Sequence, residues 1–264
     1  EDVADFLIAA TGVLHHPHVA DIPGLDTFAG ACFHSARWDH SIDLADKRIG
    51  VVGTGSTAIQ IASALTSKVG RFDLFQRTAQ WIMPIDNSPY SDADRAAFRN
   101  DPAKLAAVQQ QVNDDFEIFS NAVINADSPE MKAVEDACLA NLETNVLDPV
   151  LREKLRPNYR AGCKRLIFSA DFYDAIQRPN AHVITTAIDH IEPAGVRLAD
   201  GELRELDVLV MATGFRADSF IRPTTVIGRD GVNLDDVWAD HPVAYLSISI
   251  PEIPNFFMLN GPNG

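Results

Sequence analysis

The run VVGTGSTAIQ sets Gly53, Gly55 and Ala58 in the spacing G-x-G-x-x-A, between an apolar strand-like stretch and a helix-like one. That pattern suits a dinucleotide pyrophosphate: Gly53 permits a tight turn, Gly55 lets the backbone approach the phosphates, and Ala58 keeps helix and strand close. Thr54, Ser56, Thr57 and Gln60 belong to the same turn and first helical residues, where backbone amides face an anion and hydroxyls add donors. An ordinary strand–helix turn is the alternative, and the flanking periodicity disfavours it. Nucleotide choice is read at the end of the next strand, where a carboxylate would hold a ribose 2′-hydroxyl. Here the residues are Gln76, Arg77 and Thr78. Arginine suits a 2′-phosphate, so NADPH is expected over NADH; a solvated arginine at a strand end is the other reading.

The elements that must position these residues can be read from the apolar pattern. Residues 5–12 (DFLIAATG) form an apolar run closed by glycine, expected as a buried strand. Residues 48–53 are a second such run, residues 56–70 have helical spacing with Gly70 as the stop, and 71–77 give the next strand, completing a βαβ unit. Residues 91–155 change character, with Val108, Val112, Phe116 and Phe119 at helical spacing, and are expected as a helical insertion. The pattern returns to β over 181–193, to a hairpin turning at Asp200-Gly201, and to a buried strand over 207–215.

With 264 residues and 46% hydrophobic content the chain can bury a sizeable core in one or two domains. A net charge of −15 argues against general affinity for nucleic acid or anionic lipid, and no apolar run suggests a membrane helix. Cys32, Cys138 and Cys163 lack C-x-x-C spacing and read as reduced thiols of a cytoplasmic protein. His15, His16 and His18 sit in HHPH, but no cysteine or carboxylate completes a ligand set, and no metal is expected. Trp81, Trp238, Phe116 and Phe119 could line a pocket, though core packing is the commoner fate of such residues.

Between the first loop and the βαβ unit lies FAGACFHSARWD. Spacing alone supports a buried tryptophan, a histidine with ordinary hydrogen bonds and a loop glycine. Phe28, Gly30, His34, Trp38 and Asp39, however, resemble the F-x-G-x-x-x-H-x-x-x-W-[P/D] fingerprint of Baeyer–Villiger monooxygenases and their close flavin-monooxygenase relatives. DIPGLDTFAG, FQRTAQWIMP, GCKRLIFSADFYDAIQRPN, VLVMATGF and IPNFFMLNGPNG resemble family segments in family order. The resemblance implies an α/β flavoprotein fold with two Rossmann-like dinucleotide-binding domains. Residues 1–44 would be a partial FAD-binding domain and linker, 45–185 a complete NADP-binding domain with its insertion, and 186–264 a return to the partial FAD-binding domain.

By the same resemblance His34 organises domain motion, and Lys164 joins Arg77 and Thr78 on the 2′-phosphate. Arg165 would be catalytic beside the flavin, stabilising an anionic flavin peroxide and the oxyanion of carbonyl addition. Apart from the resemblance, Lys164-Arg165 reads as a basic pair on a solvated helix start. The implied activity is an NADPH- and FAD-dependent monooxygenase that takes O2 and a ketone or other organic substrate and gives an ester or lactone. Alternatives are an N- or S-oxidising flavin monooxygenase and an inactive NADP-binding fragment; a disulfide reductase lacks its dithiol. The chain departs from the family in having no G-x-G-x-x-G ahead of the strand at 5–12. It is therefore expected to be part of a larger protein, to hold NADPH weakly and FAD poorly, and not to turn over alone.

Overall fold

The first element of the computed structural model is strand β1 (Leu7–Ala9); residues 1–86 and 88–263 are described. A long loop leads to β2 (Ala31–His34), β3 (Arg48–Val52), helix α1 (Ser56–Leu65), β4 (Arg71–Phe75) and β5 (Ile82–Met83). Four helices follow: α2 (Asp92–Asn100), α3 (Pro102–Ile124), α4 (Pro129–Asn145) and α5 (Pro149–Lys154). Then come β6 (Ile167–Phe168), α6 (Phe172–Ile176), β7 (Ala181–Ile184), β8 (Ile188–Glu192), β9 (Gly195–Leu198), β10 (Leu203–Glu205) and β11 (Val208–Met211). Helix α7 (Leu234–Val237) and β12 (Phe256–Met258) complete the order.

Packing divides the chain into one unit of residues 21–212 and another of 1–20 with 213–264. The boundaries at 44/45 and 185/186 assign cofactors to segments, which is a different division. By packing, β2 and β8 to β11 belong with the larger unit.

The larger unit is built on a parallel sheet in the order β2-β11-β3-β4-β7. Its strands read as continuous apolar runs because both faces are covered. On one face Ile49, Val51, Phe72 and Leu74, all fully buried, pack with Ala58 and Ala62 of α1 and Phe172 and Ile176 of α6. Each such side chain contributes about 1.5–3 kcal/mol of apolar burial. Gly50 and Asp73 are paired neighbours on the opposite face, which meets Leu206 and Arg204 from the antiparallel sheet β10-β9-β8. The hairpin expected at Asp200-Gly201 joins β9 and β10, with Gly201 at φ 90°.

The insertion forms as expected, and its helix starts explain why. Asp101, Ser128 and Asp148 each cap a helix whose first residue is proline, and Ser91 and Asp94 make a reciprocal capping box on α2. Trp81, Met131, Cys138, Ala161 and Leu166 form the core under these helices. Helix α3 nevertheless buries only Ala122, so Val112 and Phe116 of its apolar stripe are exposed. No helix among the described residues is long and apolar enough to cross a membrane.

Several sequence expectations are corrected. Helix α1 stops at Leu65 rather than running to Gly70, because the Asn180 side-chain amide bonds the Thr66 and Val69 carbonyls (2.9 Å each) and draws the chain off the helix. The β stretch over 181–193 is two strands in two sheets, β7 and β8. Lys164 and Arg165 lie in the loop ahead of β6 and start no helix. The strand expected over 5–12 is only Leu7–Ala9, and Leu7 and Ile8 are each 60% exposed. Among the described residues it pairs with β12 alone, in a two-stranded sheet that leaves those side chains exposed.

The smaller unit centres on that parallel pair. Ala9, Phe256 and Met258 pack with Leu234, Trp238, Ile250 and Ile253. Trp238 is fixed by its indole N–H, which donates to the Val243 carbonyl (2.8 Å), and by the Arg222 guanidinium 5.4 Å from its ring centroid.

Candidate functional site

Strand β3 lies where the order of the parallel sheet reverses: β4 and β7 are added on one side of it, β11 and β2 on the other. In open parallel sheets the crevice at such a point, outside the carboxyl ends of the strands, takes the ligand. The G-x-G-x-x-A turn is placed there, between β3 and α1. Gly53 has φ 118°, which a side chain would strain, and its amide donates to the Phe75 carbonyl (3.2 Å). Gly55 is the α1 N-cap, and no side chain caps the helix. A β carbon at Gly55 would meet nothing within 4 Å, so the helix end opens onto free space. Ala58 is fully buried, as close helix–sheet packing requires.

The hydroxyl of Thr54 is committed to the turn itself. It donates to the Thr78 carbonyl (2.8 Å) and accepts from the Gln80 amide (3.2 Å). Gln80 Oε1 accepts from the Tyr159 hydroxyl (3.0 Å), and the Lys164 ammonium stands 4.8 Å from the Tyr159 ring centroid. Trp81 completes this brace by donating its indole N–H to the Tyr159 carbonyl (2.8 Å). Burial pushes the Tyr159 phenol upward, so it stays a neutral donor. The Ser56 and Thr57 hydroxyls make no hydrogen bond among the described residues, and Gln60 is exposed on α1.

At the end of β4, Gln76, Arg77 and Thr78 line a cavity of about 700 Å³. Its other wall is α5 and the segment after it, with Val150, Lys154 and Arg156. The Gln76 amide donates to the Lys154 carbonyl (2.6 Å) and ties the two walls together. Arg77 has no hydrogen bond and no carboxylate partner among the described residues. Lys164 does not line this cavity; the Tyr159 ring holds it beside the turn instead. Arg165 is exposed and has no partner among the described residues.

Sequence reading missed Gln80, Tyr159, Lys154 and Arg156. The last two fell at and just past the end of a segment read as insertion (91–155), although LREKLRPNYR carries four basic residues in a chain of net charge −15. That local reversal of charge was the available signal.

Each fingerprint residue has a local role in the larger unit. Gly30 is required by close approach: a β carbon there would lie 2.5 Å from the Asp207 carbonyl oxygen and 2.7 Å from the Phe28 ring. His34 is buried, and its Nδ1 accepts from the Ala36 amide (3.1 Å), capping the turn after β2. Trp38 packs edge-on against Phe33 at 5.0 Å. Asp39 accepts from the Ser41 hydroxyl (2.6 Å) and amide (2.9 Å), which hold its carboxyl below the usual range.

Elsewhere, His15 and His16 both reach the Arg222 carbonyl, at 3.2 and 2.8 Å. Cys32, Cys138 and Cys163 are free thiols, and burial drives that of Cys138 up to about 12. Trp81 and Trp238 are buried, whereas Phe116 is two-thirds exposed.

Residues 1–92 match the model of a family described as flavin-binding monooxygenase-like. A Mycobacterium bovis protein named as an uncharacterised monooxygenase is 46% identical over 263 residues, covering 100% of this chain and 53% of its own length. A Baeyer–Villiger monooxygenase of Streptomyces coelicolor is 39% identical, covering 98% of this chain and 50% of its own length. The crystal structure of cyclohexanone monooxygenase from Rhodococcus sp. Phi1 bound to NADP+ is 30% identical and superposes with a TM-score of 0.84, over 98% of this chain and 56% of that one. The chain thus spans about half the length of the curated relatives it matches. Over nearly its whole length, this chain is similar to monooxygenases that include ones named as Baeyer–Villiger enzymes, and its first 92 residues match the flavin-binding monooxygenase-like family.

Proposed function

We propose that this chain binds NADPH at the β3–α1 turn and the Arg77 cavity, as the reductant-binding part of an FAD-dependent monooxygenase that inserts one oxygen atom of O2 beside a carbonyl. One observation carries the reading: an uncapped helix end, open above Gly55, at the sheet's reversal point beside an arginine with no carboxylate partner among the described residues. Four unsatisfied amides and the helix dipole favour an anion at the first place, and a guanidinium favours a second phosphate at the other. The NADP+ bound in the cyclohexanone monooxygenase structure and the flavin in the family's description support this pairing.

In this reading Gly53, Gly55 and Ala58 shape the pyrophosphate turn, while Ser56 and Thr57 offer amides and hydroxyls. Thr54 and Gln60 flank them. Arg77 and Thr78 serve the 2′-phosphate from within the cavity, and Lys164, which does not line it, would reach that phosphate from the side of the turn, where the Tyr159–Gln80–Thr54 brace fixes it. FAD, when bound, supplies the oxygen chemistry. Arg165, permanently charged, would stabilise negative charge developing on the substrate oxygen, and its unengaged side chain is available for that. His34, Phe28, Gly30, Trp38 and Asp39 set the segment ahead of the nucleotide turn. The three free thiols fit a cytoplasmic setting.

The complete flavin-loaded enzyme to which this chain would contribute, given NADPH and offered a cyclic ketone and a thioether, is expected to yield ester or lactone from the first. Sulfoxide formed with no ester would refute carbonyl oxygenation. Arg77→Ala is expected to weaken NADP+ far more than NAD+, and equal loss of both would refute the 2′-phosphate assignment.

A further inference from the structure

The Arg77 cavity carries three cations, and they differ in whether their charge is already neutralised. Arg156 is paired twice, with Glu143 and with Glu153 (3.4 Å), and these bonds hold its guanidinium even more firmly protonated. Glu153 is the cavity's one carboxylate, so that charge is spent on Arg156. Lys154 is different. Its ammonium donates only to the Val183 carbonyl of β7 (3.2 Å) and has no carboxylate partner among the described residues. Arg77 has none either. Two uncompensated cations thus face one cavity in a chain of net charge −15, one on each of its two walls.

From this we infer that Lys154 is a specificity-determining residue for the adenosine 2′-phosphate, acting with Arg77 from the opposite wall, additional to the part proposed for Lys164. The inference rests on the nucleotide reading above and deepens it. The remaining lining suits an adenosine. Pro149 and Val150 give an apolar surface for the base, and Thr78 and Thr185 give neutral hydrogen-bonding groups. A ribose without a 2′-phosphate would leave both cations unpaired, so the cavity discriminates by charge rather than by shape.

The stem of Lys154 can be kept while its charge is removed, because the Gln76 bond goes to its backbone carbonyl. Affinities of the full chain for NADP+, NAD+ and 2′-AMP would be measured by calorimetry for the native protein, Lys154→Met, Lys154→Arg and Arg77→Ala, with thermal midpoints as the folding check. Lys154→Met is expected to weaken NADP+ and 2′-AMP about tenfold or more, the usual size of a lost charge-assisted bond, and to leave NAD+ within about twofold. Lys154→Arg is expected to restore most of the NADP+ preference. If Arg77→Ala abolishes that preference and Lys154→Met does not, the role of Lys154 is overturned and the site reading stands. If neither variant changes it, or the native chain binds neither nucleotide, the site reading falls and the inference with it.

Discussion

Asp73 offers the most exacting test of how the larger unit is held together. It is fully buried in the middle of β4, on the sheet face that meets β8 to β10. Arg204 reaches across to it with two bonds, Nη2 to Oδ1 at 2.7 Å and Nε to Oδ2 at 3.1 Å. Arg71 Nε stands 3.2 Å from Oδ2 but in a direction that makes no hydrogen bond. Asp73→Ala would leave the guanidinium of Arg204, 17% exposed, without its main partner. Removing one member of a buried pair costs about 3–5 kcal/mol. Arg204 keeps Glu202 (2.8 Å) and Arg71 keeps the Glu205 carbonyl, so the lower end, about 3 kcal/mol, applies. With a urea slope of about 2 kcal/mol/M this lowers the midpoint by about 1.5 M. Tryptophan fluorescence in a Trp238→Phe background reads the larger unit alone, through Trp38 and Trp81. The paired replacement Asp73→Leu with Arg204→Met removes both charges and should recover most of the loss, because well-packed apolar pairs replace buried ion pairs at little cost. A loss below about 1 kcal/mol for Asp73→Ala, or a double variant no better than the single one, would refute the clamp.

Two further outcomes follow from the same geometry. Gly30→Ala should destabilise the larger unit by about 2 kcal/mol, since the new methyl group meets the Asp207 carbonyl that accepts the first β2 amide, whereas Gly55→Ala, facing open space, should cost less than about 1 kcal/mol yet weaken NADP+ binding; urea midpoints and calorimetry separate the two. Three bonds from Arg48 hold the Asp207 carboxyl down to about 2. A depressed carboxyl stabilises the fold above its ordinary value and loses that contribution as pH falls through its folded one, so Asp207→Asn should flatten the acid limb of stability between about pH 4 and pH 2. The side chain is 34% exposed, so the effect at neutral pH is about 1 kcal/mol rather than the roughly 2.4 kcal/mol of the bare shift. An unchanged acid limb in thermal melts across that range would refute it.

What the sequence made legible was what depends on neighbours along the chain. The glycine turn, its strand and its helix start are set by local spacing, and the structure has them where the spacing puts them. The insertion was readable from composition, and more sharply than composition shows: Asp101-Pro102, Ser128-Pro129 and Asp148-Pro149 mark three helix starts outright. Helix α1 ended early for a reason no local pattern holds, because the residue that bonds the carbonyls of Thr66 and Val69 just past its end, Asn180, is more than a hundred positions away. The same is true of β1, whose apolar run reads as a core strand although its burial depends on what lies over it, and among the described residues β12 is the strand that pairs with it.

The candidate site divides along that line too. Arg77 could be named from the sequence because it follows its strand directly, but whether it has a carboxylate partner is a fact of three dimensions. Lys154 was hidden by the insertion, since nothing in the sequence says that a helix more than seventy residues after Arg77 returns to form the opposite wall. Lys164 came from resemblance, and the structure adds its connection to the turn through Tyr159, Gln80 and Thr54. These placements explain one another. The turn needs a rigid edge at Thr54 and Thr78 to present Arg77, and the brace supplies it. The insertion, returning through α5, then brings a second positive charge to a cavity whose one carboxylate is already engaged. Selection of a 2′-phosphate can therefore arise from how charges are paired across the cavity, with no single residue sufficient for it.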